Sequence, residues 1–330
     1  MSTDTALHSI EVPAAGIGES MFDFDILLQQ ILNGLVLGSV YALVALGYTM
    51  VYGILQLINF AHGEVLMIGA MVAVWLVPML LAAGLPPAVV LLIVVLAAIP
   101  VCMALSVAME RLAYRPLRNA PRLAPLITAI GMSIVLQTVA MIIWKPNPIV
   151  FPDLLPTTPV PIFGAILAPK QILILVVAAL MMTGLMLLVN KTRLGRAMRA
   201  TAENPRIAGL MGVNANQVIA ATFAIGAALA AVAGVLVALN YNIVHFSMGF
   251  IPGLKAFTAA VLGGIGNIAG AVVGGLLLGI IESLGAGYIG DLTGGFLGSH
   301  YQDIFAFAVL ILVLLFRPSG IMGERVADRA

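Results

Sequence analysis

Long apolar runs, separated by short polar, glycine- or proline-bearing breaks, fill most of this chain. A helix needs about 20 apolar residues to cross the hydrocarbon layer of a bilayer. Runs of that order predict spans at 27–52, 62–83, 87–109, 123–144, 171–190, 217–240, 253–270, 271–290 and 303–316. The stretch 253–290 reads either as two spans or as one span with a re-entrant segment. The pattern predicts an all-α polytopic membrane protein with about 8–9 transmembrane helices, some broken or re-entrant.

Composition removes the soluble alternative. Of 330 residues, 62% are hydrophobic and 9% charged, against about 25% charged in soluble domains. Cys102 is the single cysteine, so an intramolecular disulfide and a thiolate metal cluster are excluded. In its apolar run it reads as a small buried hydrophobe.

Charge placement divides the chain. Residues 1–25 hold Asp4, Glu11, Glu19, Asp23 and Asp25 with no Lys or Arg. They lack the basic start and apolar stretch of a signal peptide and read as a disordered acidic extension. Met21, followed at once by F-D-F-D-I-L-L, is expected as an alternative start. The transmembrane domain is expected over 26–317 and a tail over 318–330. Most of the 15 Lys and Arg fall in three places: Arg111, Arg115, Arg118 and Arg122; Lys191, Arg193, Arg196, Arg199 and Arg206; and Arg317, Arg325 and Arg329. Basic loops stay in the cytoplasm, which predicts an outside N-terminus, a cytoplasmic C-terminus and an even number of spans between 216 and the tail. The proline-rich segment 145–170 then lies outside as a stiff irregular cap, and 291–302 forms a second, short outer loop. Gly34 and Gly38, Gly266, Gly270 and Gly274, and Gly275 and Gly279 recur at intervals of four, the spacing for close helix contact.

Ionisable groups inside a membrane are costly and usually functional. Glu64, Lys255 and Glu282 are such groups, with His62 and His245 in similar settings. Glu64 lies in I-N-F-A-H-G-E with Asn59 and His62; Lys255 lies in M-G-F-I-P-G-L-K-A-F. Broken, polar helix starts of this kind line cavities in transporters. Asn59, His62, Glu64, Lys255 and Glu282 are therefore candidates for the substrate pathway or for structural ion pairs. One reading has Glu64 and Lys255 neutralise each other at a helix contact; direct substrate contact and gating are the others. His62 reads first as a hydrogen-bonded packing residue. No His-x-x-x-His pair or cysteine cluster suggests a metal. G-G-I-G-N-I-A-G at 263–270 lacks the strand and βαβ context of a dinucleotide site. No G-x-x-x-x-G-K-[ST] loop is present, so ATP is not expected to bind this chain by that route.

The basic insert 191–216 interrupts two apolar segments. Asn204-Pro205 is a helix-start signal, a side-chain acceptor followed by a ring-fixed φ. Ile207, Leu210 and Met211 follow at i, i+3 and i+4, one apolar stripe, and Gly212 can end the helix. The stripe suits either a protein partner or the bilayer surface.

Several stretches together are specific: G-S-V-Y-A-L-V-A-L-G-Y-T-M-V-Y-G-I at 38–54, I-N-F-A-H-G-E at 58–64, R-P-L-R at 115–118, T-R-L-G-R-A-M-R-A-T-A-E-N-P at 192–205, G-L-K-A-F-T-A-A-V-L-G-G-I-G at 253–266 and L-L-F-R-P-S-G at 314–320. From about Met21 to Gly323 the chain resembles the inner-membrane permease of bacterial branched-chain amino acid ABC importers. The resemblance implies a permease that is not itself an enzyme, paired with a second related permease subunit, two cytoplasmic ATPase subunits that bind the ATP, and a periplasmic binding protein. No cofactor on this chain and no nucleic-acid partner are expected. It also implies that 192–212 is the loop that meets the ATPases. Arg196, Arg199, Glu203, Asn204, Pro205, Ile207, Leu210 and Met211 are then the coupling candidates, and 145–170 faces the binding protein. Related permeases serve urea, short amides and other amino acids. A stand-alone ion-coupled transporter, with Glu64, Lys255 and Glu282 as relay, is the competing class.

Overall fold

In the computed structural model the described residues are 24–118, 120–121, 123–162, 164–294, 296, 301–317 and 319–323. Residues 1–23 of the acidic extension, Arg122, Arg325, Arg329 and much of the loop 291–302 lie outside them. Among the described residues, seven helices are long and apolar enough to cross a membrane. They are α1 (Phe24–Leu55), α2 (His62–Ala82), α3 (Pro87–Met109), α4 (Leu123–Trp144), α5 (Pro169–Lys191), α8 (Ala215–Tyr241) and α10 (Ile268–Leu292). Between them lie α6 (Arg193–Glu203), α7 (Pro205–Leu210) and α9 (Phe250–Gly263), and α11 (Gln302–Phe316) follows. Phe24 and Asp25, expected in the extension, already belong to α1.

The two ends of the bundle differ in chemistry. One carries α6, α7 and the Arg111–Arg118 turn. The other carries four short strands, β1 (Ile149–Val150), β2 (Val160–Ile162), β3 (Ala165–Leu167) and β4 (Ile243–Val244). β2 and β3 form an antiparallel hairpin, and β1 pairs with β4 beyond the end of α8. The cap 145–170 is thus partly built of strands, and Pro169 already opens α5.

α1 and α8 are the enclosed helices. α1 packs against α10, α8 and α9, and α8 also packs against α2 and α3. The glycine spacing explains the closest of these contacts. A Cβ at Gly34 would stand 2.6 Å from Cα of Ile280, and one at Gly38 would stand 2.7 Å from the Gly275 carbonyl oxygen. Bare backbone on both helices lets their axes approach where lipid offers no hydrophobic drive. Cys102 is buried as expected, its Sγ 3.4 Å from the Val65 carbonyl oxygen.

The stretch 253–290 does not split into two equal spans. α9 has 14 residues, about 21 Å of helix, short of the roughly 30 Å hydrocarbon layer. It stops at Gly263, well before the expected 270, because Gly264 has φ +108° and Gly266 φ +97°. These values place the turn in the region that glycine alone enters freely. The tail closes over this turn. Ile321 N donates to the Leu262 carbonyl (2.9 Å) and Met322 N to that of Gly263 (2.9 Å).

Both α2 and α9 begin inside the bundle. His62, the first residue of α2, packs against Gly47, and its ring meets Tyr48 edge-on at 5.0 Å. Gly47 lies roughly two turns, about 12 Å, before the end of α1, so the 56–61 segment turns back inward before α2 starts. Gly249 and Gly253, at the start of α9, meet Gly63 backbone to backbone. The two helix starts therefore touch at one depth.

Candidate functional site

Lys255 lies in the second turn of α9 and is buried, though α9 alone provides no partner for it. Its Nζ sits 2.6 Å from Glu282 Oε1 on α10 and 2.6 Å from Asp303 Oδ1 at the start of α11. Tyr41 of α1 completes the cluster. Its Oη lies 3.4 Å from Lys255 Nζ and 3.3 Å from Glu282 Oε1, and the ammonium stands 5.7 Å from the ring centroid. Four helices are tied at one point by a single cation. A buried charge is tolerated when paired and hydrogen-bonded.

Glu64 is not its partner. The expected Glu64–Lys255 pair is absent because α4 reaches Glu64 first. Ser133 Oγ donates to Glu64 Oε1 at 3.0 Å and Gln137 Nε2 at 2.8 Å. The other oxygen faces Gly249 and accepts no hydrogen bond among the described residues. His62 packs against Tyr48 and Gly47, and its Nε2 has no hydrogen-bond partner among the described residues. Asn59 organises the turn before α2. Its Oδ1 accepts from Tyr114 Oη (2.6 Å) and from Ala61 N (3.1 Å).

A cavity of about 300 Å³ opens beside Lys255 toward the strand-bearing end, between α1, the end of α8 and the 243–255 segment. Val36, Val40, Val237, Met248 and Ile251 give it an apolar wall; Tyr41, Asn240, His245, Ser247 and Lys255 contribute polar groups. Burial lowers the His245 pKa from its ordinary value, which favours the neutral ring. A second cavity of about 120 Å³ lies toward the basic end, bordered by Thr49, Gly53, Met198, Arg199 and Gly266. From Tyr41 at one cavity to Thr49 at the other is roughly two helical turns, about 12 Å. Tyr48, beside Thr49 on α1, meets the His62 and Phe257 rings edge-on, and Phe60 meets Phe257 at a tilt, with ring centroids 5.0–6.1 Å apart. Neither cavity is bordered by Asn59, His62 or Glu64. Of the sequence candidates, Lys255 and Glu282 come together, whereas Glu64, His62 and Asn59 form a separate knot at the start of α2.

Asp303, Tyr41 and Glu110 were missed by sequence reasoning. Asp303 opens the apolar run 303–316 and could have been flagged as a fourth ionisable group of the membrane region. Glu110 closes the third run and is fully buried. It pairs with Arg115 (2.8 Å) and with Arg118, and Arg118 reaches Asn216 at the start of α8 (2.6 Å). The first basic turn is thereby fastened to the helix that follows the basic insert.

The insert folds as its local signals dictate. Thr192 Oγ1 accepts from Gly195 N (3.1 Å) and caps α6. Asn204 Oδ1 accepts from Arg206 N (3.0 Å) and Ile207 N (3.1 Å), with Pro205 as the first residue of α7. Gly212, at φ +84°, ends the turn. Ile207, Leu210 and Met211 are 60%, 87% and 81% exposed, while Ala208 is buried against the bundle. The apolar stripe therefore projects away from the protein. Of the arginines before it, Arg199 donates to the Val189 carbonyl and so closes the end of α5. Arg196 and Glu203 lie on the same short helix, α6.

Residues 30–314 match the family model described as the permease component of branched-chain amino acid transport systems. The chain is 51% identical over 307 residues to the high-affinity branched-chain amino acid transport system permease protein BraD of Pseudomonas aeruginosa, covering 92% of this chain and 97% of that one. It is 46% identical, with the same coverage, to the corresponding permease protein LivH of Escherichia coli K12. A weaker likeness, 31% over 121 residues, links it to the xylose transport system permease protein XylH of Escherichia coli K12, covering 35% and 30% of the two chains. No solved structure matches the chain.

Proposed function

The chain belongs to the permease family of branched-chain amino acid transport systems, and from that premise we propose that it is the membrane subunit of an ATP-driven importer carrying Leu, Ile and Val across the bacterial inner membrane. The observation that carries this reading is the near full-length identity to BraD and LivH. ATP belongs to separate ATPase subunits, and a second, related permease completes the membrane part. The basic end faces the cytoplasm. The strand-bearing end, with the N-terminus, faces outward toward a substrate-binding protein.

In this arrangement α7 is the coupling helix. Its exposed Ile207, Leu210 and Met211 stripe enters a groove on an ATPase, an amphipathic helix laying its apolar face in a partner. α7 leads through the turn at Gly212 into α8, which runs between both cavities. Movement of α7 thus reaches the aromatic layer at Tyr48, His62 and Phe257 through one continuous element. The cavities become the outward and inward halves of an alternating path. The cluster at Lys255 holds α1, α9, α10 and α11 together while α8 moves.

The test is reconstitution of both permease subunits with the ATPases and binding protein in proteoliposomes. ATP-dependent accumulation of labelled leucine is expected. Leu210→Asp should lower uptake at least tenfold while ATP hydrolysis continues, because a charge cannot be buried unpaired in the groove. Normal uptake by this variant would remove α7 from the coupling role. Uptake by the permease alone under an ion gradient would overturn the importer reading.

A further inference from the structure

We infer that the cavity beside Lys255 is a recognition subsite for a small zwitterionic amino acid, with the cargo carboxylate on Lys255 and its aliphatic side chain on the Val40, Val237 and Ile251 wall. The inference rests on the importer reading and adds where, and by which groups, the cargo is held within the membrane.

Size is the first argument. At about 300 Å³ the cavity stands at the small end of ligand pockets, roughly 300–1,000 Å³. It fits one amino acid and excludes a peptide or a disaccharide. The wall supplies the second. Val40 comes from α1, Val237 from α8, Met248 from the turn before α9 and Ile251 from the first turn of α9, so the apolar surface is assembled from separate elements and suits a short branched side chain.

Charge is the third. Lys255 borders the cavity, whereas its partners Glu282 and Asp303 do not. The charge presented to a cargo is therefore a cation with two carboxylates behind it. An ammonium has three protons. One is donated to Glu282 Oε1 at 2.6 Å, and Asp303 Oδ1 stands at 2.6 Å as an ion-pair partner; the third has only Tyr41 Oη at 3.4 Å, which is long for a hydrogen bond. A cargo carboxylate takes that proton without breaking either ion pair. Because the two acids behind Lys255 carry one more negative charge than it balances, its grip on a cargo carboxylate stays weak enough to release, as a transit site requires. Asn240 and Ser247 border the same cavity and offer neutral acceptors for the cargo ammonium. Urea and sugars carry no carboxylate, so this geometry selects against them.

Lys255→Met would strand the buried Glu282 and so confounds folding with recognition. Ile251 is the better probe, since it borders the cavity yet is partly exposed. Initial uptake of leucine and of valine is measured in proteoliposomes of the intact importer, each at saturating loaded binding protein. Ile251→Phe narrows the cavity and should lower the leucine-to-valine rate ratio about tenfold, the scale of one-methylene discrimination in an apolar pocket. Ile251→Ala widens it and should move the ratio the other way. Opposite shifts do not arise from loss of folded protein. If the wild type imports leucine and both variants keep its ratio, the subsite is overturned and the importer stands. If the wild type imports no leucine, the importer reading itself falls.

Discussion

Glu64 and Lys255 are both buried near the start of a helix that begins inside the bilayer, yet they are satisfied in opposite ways. Glu64 is met by neutral donors, Ser133 and Gln137, and makes no ion pair among the described residues. Lys255 is clamped between Glu282 and Asp303. The helix dipole accounts for the difference. The N-terminus of a helix carries partial positive charge and favours an anion by about 0.3–2 kcal/mol. Glu64 lies in the first turn of α2, and its Oε2 faces Gly249 at the start of α9, so two positive helix ends converge on one acid. Lys255 stands near the positive end of its own helix and needs acids from other elements. Two touching helix starts thus sort charge by sign.

The sharpest way to break this comparison is Lys255→Met. Removing the cation leaves Glu282 buried with only the Tyr41 hydroxyl beside it and should cost about 3–5 kcal/mol, read as a lower midpoint of thermal unfolding for the purified complex in detergent. A midpoint unchanged from wild type would mean that the three charges contribute nothing to the fold. Gly63→Ala comes next. Its Cβ would meet the Gly249 carbonyl oxygen and stand 2.9 Å from Cα of Gly253, so the helix starts must separate, at about 1–3 kcal/mol for overpacking. If the dipoles of both helices serve Glu64, this variant should also slow transport; wild-type rates at normal expression would argue against a shared role. Glu64→Gln should be mildest, about 1 kcal/mol or less, because an amide oxygen still accepts from Ser133 and Gln137. A loss as large as that of Lys255→Met would show that the charge of Glu64 matters as much as its hydrogen bonds.

How legible each part was depends on how local its cause is. The Asn204 cap, Pro205 and the stripe at Ile207, Leu210 and Met211 act within two turns of chain, and α7 follows them to within a residue. The glycines at 34, 38, 275 and 279 foretold close contact but not their partners; α1 meeting α10 joins segments far apart in sequence. The charge cluster was half legible. Lys255 and Glu282 stood out as membrane charges, but nothing local relates either to Asp303 or to Tyr41. The reading that paired Lys255 with Glu64 failed because α4 brings donors to Glu64 while α10 and α11 bring acids to Lys255, and no local motif announces either. Strands in 145–170 escaped notice because two or three residues of pairing leave no periodicity, and β1 finds its partner only beyond α8.

Hydrophobic run length and the placement of Lys and Arg report transfer from water residue by residue, so the sequence alone determined a multi-pass membrane protein, its main spans and the short helix α7 of its basic insert. Tertiary structure alone decided that α2 and α9 begin inside the bundle, that one lysine ties four helices, and that a cavity opens beside it. Those features depend on which backbones come close enough to touch, and in a bilayer that is set by packing and by the cost of leaving a charge unpaired.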